Sequence, residues 1–469
     1  MEFFFSVFFL LFYYIRPQDW VEGMAGTNLI KPIVACWLFA LVAFRSRNSP
    51  FPGLLKTPHD WIMMAYLGYI VWFGGGSLMG VLPYFAFYTL TVQSVNTWPR
   101  MLSYLKWWNI ALIVVAFFAV LSLHGLDLTG AKEITARFVG RLAIGTWLHN
   151  NPNALGHTVV AILPLGYLLY FWKRAMSYRL FVFPAMAILA GYCLWETESK
   201  GSYVVGGILV TCLFVIGRPK MVQVLVIATA MTLGFSALSF LPRMSQMGNL
   251  RADQGVQGRL MAWEMARNVA ERYPNGEGWR TFIAHIPWRD GDHYMMITKS
   301  THSSYVKIAA DLGKYGLFLY LAGLWTAAHS VLAMKSRSEI QERCRRAIFL
   351  LVIANLASGW MINREYHTEY FLIIAAAAAM HRLHKGEELA MRKEAAEASK
   401  GEEEDSPPEV EPERPQLTPI PTPAFSSSLD TSPLIRKPLW NRFGILDLAT
   451  CMVITWLTFW TWDYILENI

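Results

Sequence analysis

The sequence predicts an all-α, polytopic helical membrane protein with about 12–13 transmembrane helices and a large periplasmic loop. Three observations carry this fold class. Of 469 residues, 54% are hydrophobic, 14% aromatic and only 16% charged, with 19 tryptophans; a soluble chain of this length carries more charge and fewer tryptophans. The apolar residues are gathered in continuous runs, too long for the alternating strands of a barrel. Finally, the short loops RSRNSP (45–50), WKRAMSYR (172–179), GRPK (217–220) and KSRSEIQERCRR (335–346) are basic and fall on one side of the implied membrane. That side is the cytoplasmic one by the positive-inside rule.

The elements follow in order. MEFFFSVFFLLFYYIRPQDW is apolar almost from its first residue and lacks the basic start and small-residue cleavage site of a secretory signal, so it reads as a retained first span. Further apolar runs fall near 29–44, 60–76, 82–97, 102–123, 153–172, 179–195, 201–217, 221–241, 304–333, 346–362, 367–383 and 444–464. Residues 1–123 form the N-terminal spans, and 124–383 a core with two longer outer loops, 124–152 and 242–303. Within the second loop, GRLMAWEMARNVAERYP spaces Leu260, Trp263, Ala266, Val269 and Ala270 as an amphipathic helix against the membrane. PNGEGW (274–279) ends it. Residues 384–440 begin as a charged helix former, turn acidic and then become rich in Pro, Ser and Thr, the composition of a disordered cytoplasmic linker. A last span lies within 441–469. The five cysteines have no metal or disulfide spacing.

Cations collect on the outer side, against the topology bias. The large loop holds Arg243, Arg251, Arg259, Arg267, Arg272, Arg280 and Arg289; the smaller one holds Arg137 and Arg141; Lys200 lies in the tight turn ETESKGSY, and Arg16 ends the first span. Several are ordinary members of a charged helix face, since Arg267 and Arg272 alternate with Glu264 and Glu271. Arg259 stands apart at the head of the amphipathic helix, after the open turn GVQGR. Arg binds phosphate oxygens in a two-pronged fork and Lys as a point charge.

The stretch THSSYVKIAADLGKYG (301–316) opens an apolar segment with a histidine. Thr301, Ser303 and Ser304 are competent helix caps, so His302 is not needed as one. An imidazole that is neutral near pH 7, fixed at a span end beside the cations, suits a general base. His149, His285 and His293 lack that placement, and Asp290, Asp292 and His293 are too few for a coordination shell.

With these residues in place, the chain resembles the O-antigen ligase and polymerase superfamily of bacterial membrane glycosyltransferases. His302 and Ser303 are followed by nine residues and Gly313, as in that family's motif. NNPNALGHTVVAILPL (150–165), TESKGSYVV (197–205) and GRLMAWEMA (258–266) followed by PNGEGWRTF (274–282) are similar to its other segments, in the same order. The resemblance covers about 140–330. It implies a metal-independent, inverting glycosyltransferase with no cofactor, seated in the bacterial inner membrane with its active site facing the periplasm. It would move a glycan from an undecaprenyl-pyrophosphate carrier to an acceptor lipid, glycan or protein, in cell-envelope or lipopolysaccharide synthesis. Its partners would be those substrates and membrane lipids, with no nucleic acid. His302 would be the general base, with Arg259, Lys200, Arg141 and Arg280 binding substrate. Gly316 stands where ligases often have Thr, which leaves a polysaccharide polymerase open. From another class, a lipid-linked glycan flippase or transporter is disfavoured by the nearly charge-free spans.

Overall fold

The structure, a computed structural model, describes residues 1–43, 57–238, 240, 254–290, 293–404 and 443–468. Arg243, Arg251, Asp292, the basic loop at 45–50 and most of the linker expected at 384–440 lie outside the described residues. So do the side chains of Arg289, Asp290 and His293.

Sixteen α-helices lie among the described residues: α1 (Glu2–Ile15), α2 (Ile30–Ala43), α3 (Pro58–Trp72), α4 (Leu78–Ser94), α5 (Trp98–Leu123), α6 (Ala131–Arg137), α7 (Pro152–Val159), α8 (Ile162–Gly166), α9 (Phe183–Thr197), α10 (Lys200–Val215), α11 (Lys220–Leu238), α12 (Gln254–Arg272), α13 (Ser304–Ala333), α14 (Glu339–Ser358), α15 (Thr368–Glu404) and α16 (Ile445–Asn468). Their starts follow from capping chemistry. Thr57, Ser77, Thr97, Asn151, Ser199, Ser303 and Ser338 each accept a first-turn amide N–H, and prolines in the first turns of α3, α5 and α7 remove a donor that would have no partner.

Five segments are long and apolar enough to cross a membrane: Trp98–Leu123, Pro152–Phe171, Tyr178–Thr197, Ser304–Ala333 and Ile445–Asn468. The first half of α15 belongs with them in character. Its run Ala375–Ala379 is wholly buried, and small residues let neighbouring helices approach closely. Large apolar side chains such as Trp72, Phe181, Val224 and Trp456 face outward, as a lipid solvent permits. The chain is an all-α polytopic membrane protein.

α13 is the central element and packs against α3, α12, α14, α15 and α16. Two features were not expected from sequence. A β-hairpin, β1 (Ala284–Asp290) and β2 (His293–Lys299), pairs Ala284 with Lys299 and Asp290 with His293. It rises from the outer loop directly before His302. The second feature is that the charged helix former expected at the start of 384–440 is continuous with the preceding span, so that α15 runs unbroken to Glu404 through HKGEELAMRKEAAEASKGEEE.

Candidate active site

His302 sits on a left-handed backbone turn, with φ of 48°, a conformation a few per cent of non-glycine residues adopt, histidine among the more tolerant. Ser303 is the helix cap and takes the N–H of Val306 on its hydroxyl oxygen. The imidazole is therefore left out of the capping chemistry, as the sequence implies. The residues on either side are pinned. Trp263 Nε1 of α12 donates to the Thr301 carbonyl at 2.6 Å. The Ser304 N–H donates to the Gly359 carbonyl at 2.7 Å, and the Ser304 hydroxyl to the Ile362 carbonyl at 2.9 Å. Asn363 reaches the Ser300 and Thr301 hydroxyls at 2.8 and 3.1 Å. His302 is thus held between α12 and the loop 359–367, which joins α14 to α15.

Gly313 explains the spacing that follows. Its φ of 66° and ψ of −170° break α13 in the middle. The break leaves carbonyls without helical partners. Those of Ala310 and Asp311 accept from the Glu277 and Gly278 N–H groups at 3.0 and 2.8 Å, and that of Leu312 from the Tyr69 hydroxyl at 3.0 Å. The turn PNGEG is therefore plugged into the kink. A Cβ on Gly313 would lie 1.9 Å from the Pro274 carbonyl oxygen, and one on Gly276 2.3 Å from the Asp311 carbonyl carbon. What packs against Gly313 is therefore this turn. Two fixed points follow: Trp263 against Thr301, and Pro274 against Gly313. The same side of α12 and the first segment of α13 run parallel between them. Asp311 locks the junction, accepting from Lys307 Nζ at 2.9 Å, the Phe282 N–H at 2.8 Å and the Tyr366 hydroxyl at 2.9 Å.

Arg259, one turn before Trp263, is partly exposed and lies close enough to His302 for its charge to act on the imidazole. Lys299, the last residue of β2, acts beside it. A Cβ on Gly258 would meet Lys299 Cε at 3.0 Å and Nζ at 3.5 Å, so the ammonium lies against the start of α12. Burial, then Arg259, then Lys299 push the His302 imidazole down to about 4. It is neutral at physiological pH and faces two cations.

The other expected residues divide into two groups. Lys200 opens α10 after the Ser199 cap. Arg141 braces that turn, donating to the Thr197 carbonyl at 3.1 Å, the Glu198 carbonyl at 3.5 Å and the Asn153 side-chain oxygen at 2.9 Å. The next residue, Gly201, faces His157 Nε2 at a Cβ distance of 3.1 Å, and His157 lies in the field of Arg259. Lys200 and Arg141 therefore connect to the His302 side through His157. Arg280 belongs elsewhere on the same end of the bundle. Its guanidinium donates to the Tyr84 hydroxyl and stacks over Trp279 and Tyr366 at 4.8 and 5.4 Å. Its charge bears on His367 rather than His302.

Sequence reasoning missed Lys299, Arg364 and Glu365. Arg364 is buried and pairs with Glu369 at 2.7 Å while donating to the Ala154 carbonyl and the Thr158 hydroxyl, which ties loop 359–367 to α7. Glu365 is buried, its Oε2 has no hydrogen-bond partner, and burial pushes its carboxyl up to about 8. Arg364 also borders a small cavity, lined by His157, Ser304, Ser358 and Glu369 together with Leu351 and Ala354, with room for about one water and none for a sugar. No signal in the sequence marks Arg364 and Glu365, because loop 359–367 has no motif and comes to the site only by where it docks.

Residues 185–321 match the model of a family described as O-antigen ligase. The match runs from α9 into α13 and takes in Lys200, Arg259, Arg280, Lys299, His302 and Gly313. No curated protein matches the chain. Over residues 185–321, which include His302, the chain is therefore similar to the O-antigen ligase family, and this supports the resemblance read from the sequence.

Proposed function

We propose that this chain is a periplasm-facing, inverting glycosyltransferase of the bacterial inner membrane. It moves a glycan from an undecaprenyl-pyrophosphate carrier to an acceptor hydroxyl, with His302 as general base. The observation that carries this reading is a half-buried, neutral imidazole at a span end beside the cations Arg259 and Lys299. The acceptor oxygen attacks the anomeric carbon as its proton passes to a ring nitrogen of His302. The bond from that carbon to the carrier's phosphate oxygen breaks on the opposite face, and its electron pair leaves with the pyrophosphate. Arg259, with Lys200 across His157, neutralises that developing charge, an effect worth on the order of 3 kcal/mol per well-placed donor. Arg141 holds the turn that presents Lys200, and Arg280 serves the rim of the same face.

The cations also order the steps. In the free protein burial, and then these cations, hold His302 down to about 4, too weak a base to work well at neutral pH. A pyrophosphate seated on Arg259 cancels part of that field, so the imidazole becomes more basic once the donor is bound.

The test is transfer by purified protein from a synthetic undecaprenyl-pyrophosphate-linked glycan. His302→Ala is expected to abolish transfer, and a wild-type rate in that variant would overturn the assignment. Product analysis separates the two members of the superfamily. A glycan on a new acceptor means ligase, and a lengthened glycan still on its carrier means polymerase.

A further inference from the structure

The last helix, α16, lies outside the matched domain and is tied at its two ends to the two helices that flank the site, α13 and α12. At the end remote from His302, Asp447 accepts from Trp325 Nε1 at 3.0 Å and lies 2.8 Å from His329 Nδ1, both on α13. At the site end, Asp463 meets Arg267 of α12 through two parallel bonds, Nε to Oδ1 at 2.6 Å and an NH2 nitrogen to Oδ2 at 3.0 Å. The same guanidinium lies over Phe459 and Trp462 of α16, at 5.2 and 5.9 Å, and pairs with Glu271 at 2.7 Å. An ordinary surface ion pair is worth little. This one is forked, flanked by two rings and largely covered on the arginine side, where the side chain is 21% exposed.

Its position on α12 gives it reach. Arg259, Trp263 and Arg267 follow at intervals of four, so they form one stripe along about two helical turns. Trp263 holds the Thr301 carbonyl, one residue before His302. Arg259 acts on His302 itself. The third member of the stripe is held by Asp463.

We propose that Asp463 is a positioning residue for the donor site: through its forked pair with Arg267 it sets the rotation and height of α12, and so the place of Arg259 beside His302. This rests on the glycosyltransferase reading above. α16 is thereby a working part of the enzyme, a strut between the two helices that carry its base and its cation.

Steady-state kinetics on the full-length protein in lipid nanodiscs test this, with wild type and Arg259→Ala alongside. Asp463→Asn is expected to raise the donor KM about tenfold, with kcat and melting temperature little changed. Asp463→Glu, which keeps the charge and fork, should restore most of the affinity. Arg267→Lys, which keeps charge but loses the fork, should raise the donor KM less than Asp463→Asn does. If Asp463→Asn does not fold, Arg267→Lys decides the matter. An unchanged donor KM in the folded variants overturns the positioning role. If Arg259→Ala raises the donor KM while the Asp463 and Arg267 variants do not, only the strut is wrong. Absence of transfer by wild type overturns the glycosyltransferase reading and the strut with it.

Discussion

At the scale of single residues, His302 combines an uncommon backbone turn with an imidazole held down to about 4 by burial, Arg259 and Lys299. A base must be unprotonated to act, so transfer falls as pH drops through its pKa. The profile of kcat/KM, which reports the free protein, should therefore turn down near pH 4, well below the roughly 6.5 of an unperturbed histidine. The profile of kcat, which reports the donor complex, should turn down at higher pH. Arg259→Ala removes one of the two positive charges and should move the kcat/KM limb upward. Coincident limbs in kcat and kcat/KM would rule out relief of the base by bound pyrophosphate. His302 could be picked from sequence because it stands at the start of a helix where its type is not needed as a cap. Arg259 reads from sequence as the head of a helix after an open turn, but α12 begins at Gln254, so GVQG is helical and Arg259 lies in the second turn. Lys299 could not be picked, because its importance comes from a hairpin that brings the end of β2 against Gly258.

At the scale of elements, the kink at Gly313 is the joint on which the site is built. Gly313→Ala would place a methyl 1.9 Å from the Pro274 carbonyl oxygen and force a side chain into a positive φ. The expected loss is about 3 kcal/mol of stability, with transfer falling along with it. A melting temperature equal to wild type would show that the turn is not seated there. Nearly every helix is legible in the sequence, since apolar runs and Ser or Thr caps mark their bodies and starts. The hairpin is not. AHIPWRD and HYMMITK lack a clean two-residue alternation, and Pro287 argues against a strand. The charged end of α15 reads by composition as the beginning of a linker, yet its Glu, Lys and Ala are also good helix formers, and here the helical preference prevails.

At the scale of the whole molecule, His302, Lys200, Arg259, Arg280, Arg16 and loop 359–367 gather at one end of the bundle. Asp19 next to Arg16 accepts the Trp147 N–H at 2.7 Å, and Trp147 lies against His367 at 5.1 Å. Asp60, Arg382 and Asp447 lie toward the other end, where Arg382 pairs with Asp60 at 2.7 Å. The basic loops predict which end faces the cytoplasm. A cysteine introduced at exposed Ile283 in an otherwise cysteine-free variant should react with a membrane-impermeant reagent added from the periplasmic side. Labelling only from the cytoplasmic side would invert the topology and remove the lipid-linked donor from reach of His302.

The turn that fills the kink is joined to α13 by main-chain atoms: the N–H groups of Glu277 and Gly278 on the carbonyls of Ala310 and Asp311. Such a joint is indifferent to most side chains. The Glu277 carboxylate points into open surroundings and is free to vary, whereas proline at 277 or 278 would delete a donor and leave a carbonyl bare. What must be kept is a count of residues and a glycine at each point of closest approach. The information that places His302 is thus stored as intervals, a histidine and a glycine eleven apart, more than as particular side chains between them.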